Sequence, residues 1–156
     1  MDLKVVQFVA ILLTALAVVP GGAHVLELPN KIRLPQEAYF SVQQIYRGWA
    51  FVGIVLLGAI VADFYLAFLL RDQRPAFLLG LAGALCVAAS LLVFFVWVFP
   101  ANEATDNWVS TPPNWQVLRQ RWEYGHAAGA ALIFTGFCLI VAATLSAGSQ
   151  ARGLPD

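Results

Sequence analysis

The sequence predicts an all-α integral membrane protein, a four-helix bundle with two long extramembrane segments on one face. Three observations support this class. Of the 156 residues, 60% are hydrophobic and 12% are charged, whereas an ordinary soluble domain has about 25% charged residues. Four apolar runs reach the roughly 20 residues that a helix needs to cross a bilayer. Apart from Asp63, these runs contain no Asp, Glu, Lys or Arg.

The four runs define the topology of one membrane domain, residues 1–156. The second and third spans are joined by the short turn 71–74, whereas the connections 24–47 and 100–126 are long. An even number of spans places the termini and the short turn on one face and both long segments on the other. Basic residues are denser in the short stretches, so the positive-inside rule favours cytoplasmic termini. The spans are placed at 5–23, 48–70, 75–99 and 127–147.

The first 23 residues also have features of a secretory signal peptide. Lys4 precedes an apolar core, and small residues precede His24. The apolar run from Val5 to Val19 is long for a signal peptide and sufficient for a span. We therefore expect the segment to be retained as the first helix.

Charge and cysteine content exclude several classes of function. Nine Lys and Arg balance nine Asp and Glu, so the broad basic face of a nucleic-acid-binding protein is missing. Cys86 and Cys138 lie inside apolar runs, which supports neither a disulfide framework nor a cysteine-rich zinc site. The expected partners are the lipid bilayer and a hydrophobic small molecule, with no nucleic acid; oligomerisation is left open.

Aromatic residues are concentrated on the face of the long segments. All five tryptophans fall there, and of the four tyrosines only Tyr65 lies toward the other side. Such rings form an aromatic belt at headgroup level, but a belt normally decorates both interfaces. The second interpretation is a structured cap or an aromatic-lined pocket above the bundle. The residues are Trp49, Trp97, Trp108, Trp115, Trp122, Tyr39, Tyr46 and Tyr124.

Both histidines are expected at this same face. His24 follows the first span and His126 precedes the fourth, so the two imidazoles reach one depth. Each has a carboxylate three residues away, Glu27 and Glu123, on the same helical face. These four residues are a candidate ligand set for iron, copper, manganese or zinc. The alternative is a pair of interfacial histidines hydrogen-bonded to Glu27, Glu123 or Tyr46.

One helical stripe combines two indoles, a guanidinium and an imidazole. Trp115, Arg119, Trp122 and His126 fall within about 60° of arc at 100° per residue. Cap residues and prolines at 111–114 mark the start of this helix. A helix from there to residue 147 is longer than the hydrocarbon is thick, so its first turns project from the membrane or bend along it.

Three stretches carry the most specific motifs: Ala23-His24-x-x-Glu27-Leu28-Pro29-Asn30, Gln43-Gln44-x-Tyr46-Arg47-Gly48-Trp49, and Asn114-Trp115 with Arg119, Trp122-Glu123 and His126. Together they resemble the anthrone-oxygenase-like family of small four-span membrane proteins, whose bacterial members are largely of unknown function. The resemblance covers nearly the whole chain. Many members place an arginine three residues after the histidine, where this chain has Gly129.

The resemblance implies an oxidoreductase that acts on a lipophilic aromatic or quinol-like compound at an outer-face site. Fungal members oxidise anthrones to anthraquinones with molecular oxygen and are generally described as needing no cofactor. Such a reaction begins with the loss of an acidic proton, for which a base and a cation are sufficient. We expect His126 to be the base, Arg119 to stabilise the oxyanion, and Glu123 or Glu27 to orient a histidine. The substrate is expected to stack on Trp115, Trp122, Trp49 and Tyr46.

Two other classes of function stand beside the enzyme. One is a non-enzymatic subunit that binds a metal or haem through His24 and His126. The other is a structural subunit of a larger membrane complex. The cofactor is accordingly left open between none, a transition metal and a haem.

Asp63 is the one acid inside a span, about 22 Å from the outer face by helical rise. An acid at membrane depth is costly and usually faces the bundle interior. We expect a protonated Asp63 hydrogen-bonded between helices, or one that reaches toward Arg71. A proton relay is the alternative.

Overall fold

The computed structural model describes residues 2–152, with side chains to residue 148, and no strand occurs in that range. Six α-helices follow one another, with two 3₁₀ turns before the third and a π turn between the fourth and fifth. The α-helices are α1 (Leu3–Lys31), α2 (Gln36–Gln43), α3 (Val52–Leu69), α4 (Arg74–Val93), α5 (Phe99–Ala104) and α6 (Trp115–Arg152). The 3₁₀ turns are Gln44–Tyr46 and Trp49–Phe51, and the π turn is Phe94–Val98.

Four helical segments are long and apolar enough to cross a membrane. Their most apolar windows have mean hydropathies between 2.2 and 2.5, and a helix of about 20 such residues spans the hydrocarbon. The predicted all-α membrane bundle is therefore confirmed. The segments are Leu3–Lys31, Trp49–Leu69, Arg74–Ala104 and Trp115–Gly148.

The four long helices form a closed ring in which neighbours run antiparallel. Helix α1 packs against α3 and α6, and α4 packs against the same two helices. One end of the bundle, which we call the loop end, therefore collects the last turns of α1 and α4 and the first turns of α3 and α6. The described part of each terminus and the turn 70–73 lie at the opposite end.

Two helices extend beyond the predicted spans at the loop end. Helix α1 continues through Pro20 and Pro29 to Lys31, whereas the predicted span ended at residue 23. Prolines are tolerated in membrane helices where neighbouring helices support the backbone, and α1 is here packed against α6. Helix α6 begins at Trp115, as the capping pattern predicted. The two long segments are thus partly helical.

Small residues permit a close contact between α4 and α6. A Cβ atom built on Gly136 would lie 2.6 Å from Val87 Cγ2 and 2.9 Å from the Gly83 carbonyl oxygen. A side chain at this position would therefore push α4 and α6 apart, as in other small-residue contacts between membrane helices.

Asp63 is fully buried between α1 and α3 and contacts Thr14. The Thr14 hydroxyl oxygen lies 3.0 and 3.1 Å from the two carboxyl oxygens and 2.8 Å from the Ala10 carbonyl oxygen. A hydroxyl has one proton, which cannot be donated to Ala10 and Asp63 at once. A protonated Asp63 that donates to Thr14 satisfies both contacts, in agreement with the expected interhelical hydrogen bond. Arg71 instead donates to the Phe68 carbonyl.

A second hydrophobic core covers the loop end. Its buried members come from α2, the π turn, α5, the loop before α6 and α6 itself, so elements distant in sequence form one layer. This layer corresponds to the structured cap rather than to a belt around the membrane, although Trp97 is 46% exposed. The buried members are Tyr39, Val98, Ala101, Trp108, Trp115, Leu118 and Trp122.

Candidate functional site

The two histidines meet at the centre of the loop end. The ring centroids of His24, on α1, and His126, on α6, are 4.0 Å apart with 28° between the ring planes. His24 is buried and His126 is half-buried. Helix α6 lies against α1 because Gly21 faces Ala130: a Cβ built on Gly21 would lie 3.1 Å from the Ala130 Cβ. The two imidazoles, which were predicted to lie at one depth, are in direct contact.

Aromatic rings surround the stacked imidazoles. The Trp122 ring lies edge-on to both, with centroid distances of 5.0 Å to His24 and 4.2 Å to His126. Tyr46 and Trp49 contact His24 at 4.8 and 5.9 Å. Phe94, the first residue of the π turn, contacts His126 at 6.4 Å.

Lys31 is the functional candidate that the sequence analysis missed. It lies seven residues after His24 on the same face of α1, and it is only 3% exposed. Its Nζ lies 4.3 Å from the centroids of the Tyr46 and Trp122 rings, which are the rings that contact His24. A lysine is almost never fully buried unless it is paired with an acid. The sign of such a partner in the sequence was Glu27, which lies four residues before Lys31.

Two carboxylates compensate the buried charge of Lys31. Nζ lies 3.3 Å from Glu123 Oε1 and 3.5 Å from Glu27 Oε2. Glu123 is 1% exposed. The ion pair with Glu123 therefore joins α1 to α6 inside the protein, where breaking one partner leaves an uncompensated charge.

Two tyrosine hydroxyls extend this network, each accepting one hydrogen bond and donating another. Lys31 donates to Tyr46 Oη at 2.7 Å, and Tyr46 donates to Glu27. Gln43 donates to Tyr39 Oη, and Tyr39 donates to Glu123 Oε1 at 2.9 Å. Burial raises the pKa of both tyrosines well above 10, and the adjacent carboxylate of Glu123 or Glu27 raises it further. Both hydroxyls therefore remain donors at physiological pH.

Four buried polar atoms at the loop end have no hydrogen-bond partner in the described part of the chain: His24 Nδ1, Gln43 Oε1, Arg119 Nε and Glu123 Oε2. Buried polar groups are usually paired, and an unpaired one is costly. In the tautomer that carries its proton on Nε2, the Nδ1 atom of His24 can accept a proton.

Arg119 and Trp115 lie on the far side of Tyr39. Arg119 Nη1 donates to the Leu34 carbonyl oxygen at 2.8 Å, and its guanidinium lies 4.8 Å from the Trp115 ring centroid and 5.4 Å from that of Tyr39. These contacts fasten the segment after α1 to α6. Arg119 therefore belongs to the cap. Along the contact between α1 and α6, the Lys31–Glu123 ion pair lies between Arg119 and the two histidines.

Asn102 fixes the orientation of two indoles. Its Oδ1 accepts from Trp122 Nε1 at 2.9 Å and from Trp108 Nε1 at 3.2 Å. Trp108 is the last of three residues with positive φ, following Asp106 and Asn107, and its φ is 65°. Such a conformation is an outlier for a bulky residue, and it is held here by the burial of the ring and by the bond to Asn102.

The predicted four-residue metal site is not assembled. Among residues 2–148, no group of three or more His, Cys, Asp or Glu side chains is arranged to hold a metal ion. The physical reason is that Glu27 and Glu123 turn toward Lys31 and the tyrosine hydroxyls.

The site therefore combines predicted and unpredicted residues. The structure brings together His24, His126, Trp122, Tyr46 and Trp49, and it links Glu27 and Glu123 to them through Lys31. Trp122 and Trp115 are buried in the cap, whereas Tyr46 and Trp49 are partly exposed. Comparison of the chain with models of protein families, with curated proteins and with solved structures finds no match.

Proposed function

We propose that this integral membrane protein is an oxidoreductase of the anthrone-oxygenase-like type, with the His24–His126 pair as its base. The observation that carries the proposal is the stack of the two imidazoles at 4.0 Å, together with the free Nδ1 of His24. A histidine has an ordinary pKa near 6.5 and is the usual general base in enzymes. The substrate class, a lipophilic aromatic or quinol-like compound, rests on the motif resemblance and on the aromatic surroundings.

The chemistry requires little from the protein beyond a base and a stabilised anion. Removal of a methylene proton from an anthrone gives an electron-rich carbanion that transfers electrons directly to oxygen. The methylene carbon becomes a carbonyl by taking one oxygen atom, and the second oxygen atom leaves as water with both methylene hydrogens. The four electrons released by the carbon reduce one O₂, so no further reductant is consumed.

Lys31 is a cation beside the imidazole stack, but its three N–H groups already contact Glu27, Glu123 and Tyr46, so it would stabilise a substrate anion only by giving up one of these contacts. Lys31 shares the Tyr46 and Trp122 rings with His24, whereas Arg119 is bonded to the Leu34 carbonyl. A positive charge acts strongly in a site from which water is excluded. The partly exposed rings of Tyr46 and Trp49 are the surfaces on which a flat substrate would stack.

Oxygen uptake by the purified protein tests this function. The wild type, the variant His126→Ala and the control Cys138→Ala are each supplied with anthrone and with a set of lipophilic quinols. Cys138 serves as the control because its side chain is exposed on the same helix. The proposal predicts turnover by the wild type and the control, and a loss of about 100-fold or more in His126→Ala. Turnover that is unchanged in His126→Ala would remove the base from the mechanism.

Metal content and visible absorption of the same preparation distinguish the enzyme from a metal or haem subunit. The proposal predicts full turnover without stoichiometric metal or haem. A bound metal whose loss through His126→Ala parallels the loss of turnover would point instead to ligation by the histidines.

The proposal places the loop end outside the cytoplasm of a bacterial inner membrane. Support comes from the density of basic residues near the termini and in the turn 71–74. In a chain with both native cysteines replaced by alanine, a membrane-impermeant thiol reagent applied to intact cells should label Ser110→Cys but not Asp72→Cys. The reverse pattern would invert the orientation.

A further inference from the structure

A surface groove lies behind the imidazole site, between the π turn and the first turns of α6. It has a volume of about 490 Å³ and is lined by Val96, Trp97, Gln120, Arg121 and Tyr124. The groove exists because Gly125 lets α6 approach the π turn: a Cβ built on Gly125 would lie 2.8 Å from Val98 Cγ2 and 3.2 Å from the Trp97 Cβ.

The groove is separate from the imidazole site. At 100° per residue, Gln120, Arg121 and Tyr124 project from the face of α6 roughly opposite to Trp122 and His126. The face with Trp122 and His126 packs into the bundle, whereas Tyr124 is 55% exposed and Val96 is 66% exposed. This side of the bundle faces the surrounding lipid.

The chemistry of the groove is that of a site for an anion attached to an apolar chain. The Arg121 side chain is exposed. Within the described residues, no ion pair or hydrogen bond of its guanidinium occurs. None of the five lining residues is acidic. The Trp97 indole and the Tyr124 hydroxyl add hydrogen-bond donors beside the guanidinium. Val96 supplies an exposed apolar surface next to α4.

The depth of the groove fits a lipid headgroup. Val96 and Trp97 lie near the loop end of the membrane-spanning segment Arg74–Ala104, where hydrocarbon gives way to headgroups. Tryptophan and tyrosine concentrate at this level because one side of each ring is apolar and the other can donate a hydrogen bond. Arginine binds phosphate oxygens through two parallel N–H groups.

We propose that this groove binds a membrane phospholipid, with its phosphate on Arg121, between Trp97 and Tyr124, and an acyl chain along Val96. Charge complementarity between the unpaired guanidinium and the phosphate selects this occupant over a neutral lipid or an apolar protein surface. The lipid would occupy the side of α6 that backs the imidazole site.

Native mass spectrometry of the detergent-purified protein tests the proposal. The added lipids are dioleoyl phosphatidylglycerol and dioleoylglycerol, which carry the same acyl chains but differ in the phosphate. We expect adducts with phosphatidylglycerol and few with dioleoylglycerol. Arg121→Gln should weaken the phospholipid adduct about fivefold, and Arg121→Lys should restore part of it. The control Arg33→Gln, which removes an exposed charge elsewhere at the loop end, should bind as the wild type does.

Four results would overturn the proposal. One is undiminished phospholipid binding by Arg121→Gln, and a second is an equal loss in Arg33→Gln, which would indicate non-specific charge attraction. A third is equal retention of dioleoylglycerol, which would remove the phosphate from recognition. The fourth is displacement of the lipid by millimolar inorganic phosphate, which would indicate a simple anion site. Because Arg121 is exposed, we expect Arg121→Gln to elute from size exclusion as the wild type does.

Discussion

The imidazoles of His24 and His126 stack at 4.0 Å although they come from the first and last helices of the chain. Their meeting depends on the register between α1 and α6, which run antiparallel. Gly21 precedes His24 by one helical turn and Ala130 follows His126 by one, and these two small residues are in contact. The same register places Lys31 beside Glu123, so one helix crossing organises both the imidazole pair and the buried ion pair.

This register can be tested by cross-linking. In a chain with Cys86 and Cys138 replaced by alanine, we expect the pair Gly21→Cys and Ala130→Cys to form a disulfide on oxidation. The Cβ separation of 3.1 Å needs to open by only a few tenths of an ångström to reach the range of about 3.5 to 4.5 Å found in disulfides. The measurement is the mobility shift on non-reducing electrophoresis.

A neighbouring pair serves as the control for the cross-link. No heavy atom lies within 4 Å of a Cβ built on Gly22, so Gly22→Cys with Ala130→Cys should remain reduced. Equal cross-linking of both pairs would mean that α1 rotates freely against α6, and the imidazole stack would lose its structural basis.

Lys31 should be important for stability as well as for chemistry. Lys31→Met leaves Glu27 and Glu123 without their cation, so we expect a loss of about 3 kcal/mol in the free energy of unfolding. Adding Glu123→Gln to Lys31→Met should recover part of this loss because it removes one uncompensated charge. The exposed Arg33→Met should change stability by less than about 0.5 kcal/mol.

Unfolding by a denaturing detergent, followed by far-UV circular dichroism, measures these differences. If Lys31→Met unfolds at the same detergent fraction as the wild type, the buried network does not hold α1 against α6.

Asp63 should tolerate loss of its charge but not loss of its hydrogen bond. Asp63→Asn keeps a donor for the Thr14 hydroxyl, so we expect stability within about 1 kcal/mol of the wild type. Asp63→Leu leaves the hydroxyl with only its contact to the Ala10 carbonyl and forces a larger branched side chain into a closed site, which should cost about 2 kcal/mol. Equal losses in the two variants, in the same unfolding measurement, would show that the ionised carboxylate is required.

Tyr39 and Tyr46 should resist ionisation at high pH. Burial raises the pKa of both groups in the folded protein, so the unfolded chain releases these protons first. Their favourable contribution to stability is therefore complete below about pH 10, the ordinary tyrosine pKa, and is lost as the pH rises above it.

Phenolate absorbance during alkaline titration measures this effect. At about pH 11.5, where an ordinary tyrosine is almost fully ionised, the folded protein should show about two fewer phenolates than the detergent-unfolded chain, and Tyr39→Phe and Tyr46→Phe should each remove one of the delayed ionisations. Ionisation of Tyr39 and Tyr46 near pH 10 in the folded protein would contradict the hydrogen-bond directions assigned to the network.

Sequence reasoning could predict the membrane class, the start of α6 and the common depth of the histidines, because these depend on local hydropathy, capping and helical rise. It could not predict that α1 continues to Lys31, because prolines at 20 and 29 normally mark helix ends, and only packing against α6 supports the helix there. The predicted first span consequently ended too early.

The composition of the site depended on contacts between distant elements. The sequence places Lys31 in a connecting segment and Tyr39 in an aromatic belt or cap, and their burial follows from how the cap folds over α6. The pairs Glu27 with His24 and Glu123 with His126 have the spacing of metal ligands, but helical spacing does not reveal that a lysine from α1 enters between the carboxylates. Arg119 likewise bonds a loop carbonyl that no sequence pattern indicates.

Proton exchange without oxygen shows whether the stacked histidines are the base of the site. Anthrone is incubated anaerobically in D₂O with the protein, and deuterium uptake at its methylene group is followed by NMR. We expect the wild type to accelerate uptake and His126→Ala to lower the enzymatic rate by about 100-fold, while Cys138→Ala should match the wild type. Uptake as fast in His126→Ala as in the wild type would contradict the claim.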